Sequence, residues 1–282
     1  RRQRQMCIRD SLQKLHPKEI DLSLDRIKIL CEKLGNPQDK IKAISVVGTN
    51  GKQSTINAIF SILKEAKVKC NVYTSPHIQK INERFVFNNN MLHDDELIDL
   101  FEEVEKINDQ NPLTFFEALS ACYFYKAAQY PDNINLIEAG LFHRFDATNI
   151  LKNNLASVVC SLSKDHLDWL PKDQQTIEKI VFEKTSSLLN SNIIVSKQNS
   201  VKTTESIKKS ISQNLSNKLF FNEDYSYSSR ENGFFYYEDK FGGLKLPLPN
   251  ILGQFQLENI STAIATIRPV SYTHLRAHET RS

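Results

Sequence analysis

The sequence has few of the residues that mark zinc-binding, disulfide-rich or membrane-spanning proteins. Its 282 residues include five cysteines and one tryptophan. Cys31, Cys70, Cys122 and Cys160 are scattered without a Cys-x-x-Cys pair, so we expect reduced thiols that mostly fill the core. No apolar run approaches the roughly 20 residues that cross a bilayer, and no secretory signal is visible. These absences favour a cytoplasmic protein without a membrane partner.

The two ends of the chain carry its excess positive charge. Residues 6–10 and 270–274 can be encoded by DNA strands that are reverse complements, and both ends resemble translated sequencing adapter. We therefore predict that residues 1–11 and 269–282 are not native and that residues 12–268 are a fragment of a longer protein. The two ends carry net charges of +3 and +1, so the remainder carries −1 of the formal +3. That balance predicts no nucleic-acid partner.

Apolar strand patterns alternate with helical patterns along most of the chain. The strand patterns of the first 200 or so residues lie at residues 41–47, 71–73, 134–138, 156–160 and 193–196. Residues 74–90 read as a polar loop, and residues 219–248 read as short aromatic strands of a small antiparallel sheet. We therefore predict an α/β fold of the P-loop type. It has a mostly parallel sheet with helices on both faces, plus a small antiparallel sheet near the C-terminal end.

The most informative stretch is a glycine-containing loop between a strand and an amphipathic helix. It consists of Gly48, Thr49, Asn50, Gly51, Lys52, Gln53 and Ser54. Backbone N–H groups of such a loop, with the start of the next helix, can bind a polyphosphate. Lys52 would reach the terminal phosphates, and a hydroxyl of Ser54 or Thr55 would face magnesium. The stretch therefore predicts a nucleotide site.

Three further polar residues follow predicted strands. Ser75 and His166 come shortly after strands, and Glu138 ends one. Ligands of a doubly wound sheet bind beyond the carboxyl ends of its strands, so we expect these residues and Lys52 to form one nucleotide and metal site. Carboxylate and hydroxyl oxygens are ligands suited to magnesium.

These residues belong to a longer series of blocks that resembles a known family. The chain is similar to the folylpolyglutamate synthases and dihydrofolate synthases of the Mur-type ligase superfamily. The blocks follow the family's order over nearly all of residues 12–268: Gly48-Thr49-Asn50-Gly51-Lys52, Tyr73-Thr74-Ser75-Pro76-His77, Asn82-Glu83-Arg84, Thr114-Phe115-Phe116-Glu117, Glu138-Ala139-Gly140-Leu141, Arg144, Asp146-Ala147-Thr148-Asn149, Asp165-His166, Glu183-Lys184, Leu246-Pro247-Leu248-Pro249, Gly253, Gln256 and Asn259.

The resemblance implies an ATP-dependent amide ligase that acts as a monomer. ATP would convert a folate or dihydropteroate carboxylate to an acyl phosphate, which L-glutamate would then attack. The implied catalytic residues are Lys52, Glu138, His166 and Lys184. Two Mg²⁺ sites would involve Ser75, Glu138, His166 and Lys184, with a carbamate on Lys184. Asn259 would contact the adenine, and the folate or dihydropteroate pocket would be lined by Thr114, Phe115, Phe116, Glu117, Phe145, Asp146 and Ala147.

Three departures from the family pattern leave alternatives open. Gln53 replaces a glycine, Phe142 and His143 replace paired glycines, and residues 161–164 lack another glycine. A degenerate or non-catalytic nucleotide-binding module and a Mur-type ligase for a cell-wall precursor therefore stay possible, as do dihydrofolate synthase, folylpolyglutamate synthase or both. The resemblance further implies a C-terminal glutamate-ligase domain beyond residue 268. Without it, residues 12–268 should bind nucleotide weakly and complete no ligation.

Overall fold

The computed structural model describes residues 23–231, 233–250 and 253–270. Residues 1–11 and 271–282, predicted to be non-native, lie outside the described residues. The described α-helices are α1 (Asp25–Lys33), α2 (Lys52–Glu65), α3 (Asp94–Asn108), α4 (Phe115–Ala127), α5 (Ile177–Thr185), α6 (Val201–Ser210) and α7 (Gln254–Val270). The described strands are β1 (Lys42–Val47), β2 (Cys70–Tyr73), β3 (Phe85–Phe87), β4 (Asn90–Met91), β5 (Ile134–Glu138), β6 (Asn154–Val159), β7 (Asn192–Val195), β8 (Lys218–Phe220), β9 (Tyr225–Glu231), β10 (Phe234–Asp239) and β11 (Gly242–Pro247).

The described residues form two compact units. The first contains residues 23–43 and 67–153, and the second contains residues 44–66 and 154–270. The division by sequence into non-native ends and one ATP-binding domain stays a prediction.

The first unit packs α1, α3 and α4 with a sheet of order β4-β3-β2-β5. β2 pairs with β5 in parallel and with β3 in antiparallel orientation. Its core is aromatic: the Tyr73 and Tyr123 rings stack with centroids 4.9 Å apart, and Phe87 stacks on Tyr123 at 5.4 Å. This packing fixes the carboxyl ends of β2 and β5, which carry Ser75 and Glu138.

The second unit contains strands in the order β1-β6-β7-β8, and β6/β7 and β7/β8 are parallel. Helix α2 packs against α7, and α5 packs against α6. A separate antiparallel sheet has the order β11-β10-β9. The parallel pairs, the flanking helices and this small sheet confirm the predicted α/β fold class.

One predicted loop is wrong in part. Residues 74–90 include β3 and begin β4, which pair as an antiparallel hairpin. Phe85 and Phe87 are buried, and the tight turn places Asn88 and Asn89 at φ of 51° and 68°. Asparagine is among the few residues that adopt this left-handed conformation at low cost. The polar composition of residues 74–90 gave no indication that Phe85 and Phe87 are buried in a strand.

The boundary of the small sheet is also shifted. Leu219 and Phe220 were expected in the antiparallel sheet, but they belong to β8, which pairs in parallel with β7. Both side chains are buried. A three-residue strand is too short for periodicity to reveal its partner, so the antiparallel sheet begins only at β9.

The described cysteines agree with the compositional expectation. Cys31, Cys70, Cys122 and Cys160 are free and buried, as expected for core residues. No helix in the described ranges combines the length and apolar character needed to cross a membrane.

Candidate functional site

The predicted phosphate loop connects β1 to α2 in the second unit. Gly51 has a left-handed φ of 83° and is the N-cap of α2, so the helix begins at Lys52. The first helical hydrogen bond runs from Thr55 N–H to the Gly51 carbonyl at 2.9 Å. The N–H groups before Thr55 therefore have no acceptor within the helix, which is the usual basis for anion binding at a helix start.

The loop is fastened to the segment that follows β6. The backbone N–H groups of Thr49 and Asn50 both donate to the Ser161 carbonyl, at 3.0 and 3.1 Å. The Thr49 hydroxyl donates to the Ser163 carbonyl at 3.1 Å and accepts from the Ser163 N–H at 3.2 Å. These four bonds, which we call the loop clamp, hold the first half of the loop. The amides at the start of α2 are consequently the ones placed to receive a phosphate.

Two glycines of the loop are required by close contacts. A Cβ on Gly48 would lie 2.7 Å from Cys160 Cβ and 3.3 Å from Cys160 Cα. A Cβ on Gly51 would lie 2.5 Å from Asn259 Oδ1, on α7. Asn259, the predicted adenine contact, is thus buried directly beside the loop. Its role toward adenine stays a prediction.

Two lysines with different environments approach the loop. Lys52 is half-buried and its Nζ donates to the Thr49 carbonyl at 3.4 Å. Lys184 on α5 is only 2% exposed, and its Nζ donates to the Gly48 carbonyl at 3.2 Å. Lys184 Nζ also forms an ion pair with Asp165 Oδ2 at 3.3 Å. The structure thereby brings both predicted lysines to the same loop.

Asp165 also belongs to this site, although the sequence named it only as part of the Asp165-His166 block and predicted no role for it. Its Oδ1 is buried and has no hydrogen-bond partner among the described residues, although its Oδ2 pairs with Lys184. A buried carboxylate oxygen without a donor is costly, so such an atom indicates an additional ligand. The signal available in the sequence was its position next to His166.

His166 lies at the edge of the same group of residues. It has a left-handed φ of 50°, and its Nε2 is 3.8 Å from Asp165 Oδ2. Burial lowers the pKa of His166 below its ordinary value; Asp165 opposes this shift, and Lys184 and Lys52 add to it. The neutral imidazole favoured by this environment is the form that can bind a metal. Gly48, Thr49, Lys52, Asp165, His166 and Lys184 are called the phosphate-loop cluster below.

The departure at Gln53 is harmless to the backbone. Gln53 is exposed in the first turn of α2, and its φ is not positive. The glycine that the family usually carries here is therefore not demanded by conformation in this chain.

Gln53→Gly should leave the affinity for Mg·ATP unchanged and lower the free energy of unfolding by up to about 1 kcal/mol, because glycine weakens a helix. Calorimetric titration and urea denaturation measure the two effects. A large gain in nucleotide affinity would instead show that Gln53 impairs the loop.

Glu138 occupies the carboxyl end of β5 in the first unit and is 2% exposed. Its Oε2 accepts a hydrogen bond from the backbone N–H of Ser75 at 3.0 Å. In the same unit, burial lowers the pKa of the Arg84 guanidinium, and the negative charge of Glu138 opposes this shift. Ser75, Arg84 and Glu138 are called the Glu138 cluster below.

Several predicted pocket residues have clear structural tasks in the first unit. Thr114 caps α4: its hydroxyl accepts from Glu117 N–H at 3.2 Å, and Glu117 Oε2 accepts from Thr114 N–H at 2.7 Å. Glu117 also pairs with Arg26 Nε at 3.1 Å. This reciprocal arrangement is a capping box. Any contact of Thr114 or Glu117 with a substrate stays a prediction.

Phe115 and Phe116 are half-buried rather than core residues. The Phe115 ring centroid lies 5.7 Å from the Arg84 guanidinium carbon. The Phe116 ring stacks on Tyr73 at 5.9 Å and lies so close to Gly140 that a Cβ there would be 2.8 Å from its Cζ. Partly exposed aromatic rings of this kind can bind a flat ligand.

Asp146 organises the loop after β5. Its carboxylate accepts from the N–H groups of Gly140 and Leu141 at 2.8 and 3.1 Å, and from Thr148 N–H at 2.9 Å and Oγ1 at 2.5 Å. Burial raises the pKa of Asp146, and these bonds oppose the shift. Beside it, Ala147 is buried and Phe145 is half-buried. These residues shape a loop whose predicted substrate contacts stay predictions.

Comparison with known proteins identifies relatives of this chain. No protein-family model matches it. The dihydrofolate synthase/folylpolyglutamate synthase of Escherichia coli strain K12 is 38% identical over 168 residues, covering 59% of this chain and 39% of that protein. Escherichia coli FolC in complex with DHPP and ADP matches with a TM-score of 0.81 and 30% identity, covering 93% of this chain and 61% of that one.

A folylpolyglutamate synthase complex with AMPPCP and folate has a TM-score of 0.80 and 26% identity, covering 93% of this chain and 67% of that one. The chain is similar in sequence and in structure to dihydrofolate synthase/folylpolyglutamate synthases. It spans less than two thirds of the length of the Escherichia coli protein, both in sequence and in structure.

Proposed function

We propose that this chain is the nucleotide-binding part of an ATP-dependent ligase. The ligase joins L-glutamate to a folate or dihydropteroate carboxylate through an acyl phosphate, as a folylpolyglutamate synthase, a dihydrofolate synthase or both. The observation that carries the proposal is the phosphate-loop cluster, in which Lys52, Lys184 and Asp165 meet at a clamped glycine loop in a chain similar to that family. Relatives bound to ADP, AMPPCP and folate support it.

The chemistry of the cluster suits phosphoryl transfer. A carboxylate is a poor electrophile until one oxygen becomes a leaving group, and phosphorylation by ATP supplies that group. Lys52 and the amides at the start of α2 would neutralise charge on the γ-phosphoryl group while it moves in line. The loop clamp holds these groups in position before ATP binds, which is what transfer by positioning requires.

Magnesium fits the oxygen atoms of the two clusters. Glu138 is a buried carboxylate at a strand end, and Asp165 Oδ1 is buried without a donor. Within the described ranges no three His, Cys, Asp or Glu side chains form a ready metal site. Mg²⁺ commonly binds through one or two carboxylates, water and phosphate oxygens, and it would supply charge neutralisation.

We assign one Mg²⁺ site to Ser75 and Glu138 of the first unit and a second to His166 and Lys184 of the second unit, with Lys184 as a carbamate. After loss of a proton from the buried ammonium, which now donates to the Gly48 carbonyl, the free amine would add to carbon dioxide and release a second proton, giving an anionic carbamate with oxygen atoms that can bind a metal. Asn259 would hold adenine beside the loop. The half-buried rings of Phe115 and Phe116 would receive the flat pterin group, and Phe145, Asp146 and Ala147 would line the same pocket. The protein would act as a cytoplasmic monomer.

Nucleotide binding by this chain tests the proposal. Lys52→Ala should weaken binding of Mg·ATP about 10- to 100-fold, the expected loss of a charge-assisted hydrogen bond to phosphate. The control is Lys64→Ala, which removes the same charge from an exposed position on α2 and should change nothing. Calorimetric titration measures both.

Equal losses in the two variants, or no binding of Mg·ATP by the unaltered chain, would refute the nucleotide role. Incorporation of labelled glutamate by the full-length protein separates the substrate classes. Activity toward dihydropteroate or tetrahydrofolate supports the proposal, whereas activity toward a cell-wall precursor points to the other Mur-type ligases.

A further inference from the structure

Arg84 is a buried cation in the first unit. It ends a short 3-10 turn, Ile81–Arg84, immediately before β3, and only 7% of it is exposed. No carboxylate oxygen of the described residues lies within 4.0 Å of its guanidinium nitrogens. A buried guanidinium is normally paired with an anion, because removing an unpaired charge from water is costly.

The acids nearest in sequence and space are otherwise engaged. The Glu83 carboxylate accepts from the N–H groups of Ile78, Gln79 and Lys80, at 2.8, 2.9 and 2.8 Å. Glu138 Oε2 accepts from the Ser75 N–H. Its charge raises the pKa of Arg84, but its carboxylate forms no ion pair with the Arg84 guanidinium. Neither carboxylate is therefore the missing partner of Arg84.

The neighbours of Arg84 fix its orientation without neutralising it. Its Nε donates to His77 Nδ1 at 2.9 Å, which uses one of the five donors of the guanidinium. His77 must be neutral at Nδ1 to accept this bond, and burial, assisted by Arg84, lowers the pKa of His77. The Phe115 ring lies 5.7 Å from the guanidinium carbon. Arg84 is thus held in place by uncharged groups.

We propose that Arg84 binds the carboxylate of the pterin-linked substrate, the group that the reaction activates. The inference rests on the proposed function. Arg84 lies beside Phe115, assigned above to the pterin ring, and within the field of Glu138, assigned above to magnesium. The reacting carboxylate must lie between the ring and the metal. The planar fork of a guanidinium matches a carboxylate, and it stays protonated throughout.

The test compares pteroic acid with its neutral methyl ester, using this chain. The unaltered chain should bind the acid more tightly than the ester. Arg84→Gln should weaken binding of the acid about 10- to 100-fold, as expected for a hydrogen-bonded charge pair, and leave the ester unaffected. Arg84→Lys should recover part of the loss, since it restores charge but not the fork. Lys106→Gln, which removes an exposed charge from α3, should bind both ligands like the unaltered chain.

The outcomes distinguish this inference from the proposed function. Equal weakening of acid and ester by Arg84→Gln would assign Arg84 a structural role, and no weakening would remove it from the site. If Arg84→Gln does not fold, equal affinity of the unaltered chain for acid and ester overturns the inference by itself. Each of these results leaves the proposed function standing. No binding of either pteroic acid or Mg·ATP by the unaltered chain would overturn both.

Discussion

Replacing Lys184 with methionine should strongly destabilise the second unit. Lys184 is 2% exposed, donates to the Gly48 carbonyl and pairs with Asp165 Oδ2 at 3.3 Å. Methionine keeps the length of the side chain but leaves Asp165 without a counter-charge, in addition to its unpartnered Oδ1. Removal of one member of a buried ion pair costs about 3–5 kcal/mol. Urea denaturation measures the loss, and Mg·ATP affinity should fall with it.

Two further variants show whether the cause is the stranded charge. Lys202 on α6 forms an exposed ion pair with Glu178 on α5, so Lys202→Met should change stability little. Adding Asp165→Asn to Lys184→Met should restore part of the lost stability, since the uncompensated charge is then gone. The explanation fails if Lys184→Met unfolds at the same denaturant concentration as the unaltered chain, or if the second substitution lowers stability further.

Gly48→Ala should cause the second large loss. The added Cβ would meet Cys160 Cβ at 2.7 Å and Cys160 backbone atoms at 3.3 and 3.4 Å, and Gly48 has a φ of +154°. Backbone strain and overpacking together predict a cost of roughly 2–5 kcal/mol. Thermal and urea denaturation measure it. Because the loop would have to move away from Cys160, the affinity for Mg·ATP should fall as well.

Gly242→Ala supplies the control for backbone strain. Gly242 has a φ of +100°, but no atom lies within 4 Å of the added Cβ. It should therefore lose only the strain, about 1–3 kcal/mol, and keep full nucleotide affinity. Combining Gly48→Ala with Cys160→Gly should recover stability by removing the closest contact. Equal losses for Gly48→Ala and Gly242→Ala would mean that the contact with Cys160 does not constrain the loop.

The features that the sequence predicted well are local. The β1, loop and α2 succession has its glycines, lysine and hydroxyls within a few residues of each other, and the structure places this loop between a strand and a helix as predicted. The capping box of Thr114 and Glu117 has an equally local signature, a Thr-x-x-Glu spacing before an apolar helix. The resemblance directed attention to a substrate pocket instead, so this structural task was not foreseen.

The features that the sequence did not reveal depend on burial and on distant partners. Nothing in the spacing of Arg84 indicates that its charge is buried without a carboxylate, because that depends on Glu83 being occupied by backbone N–H groups. Asp165 becomes notable only once one of its oxygens is found without a donor. The β3–β4 hairpin was missed for a similar reason, because Phe85 and Phe87 are buried through contacts with Phe101 and Tyr123, which lie far from them in the sequence.

The loop clamp has a thermodynamic consequence. With Thr49 and Asn50 already bonded to Ser161, and Thr49 bonded to Ser163, the first half of the loop loses little conformational entropy when a triphosphate arrives. Association then resembles the exchange of water for phosphate on a rigid surface. Its rate would be set by diffusion and charge, with no slow ordering of the chain beforehand.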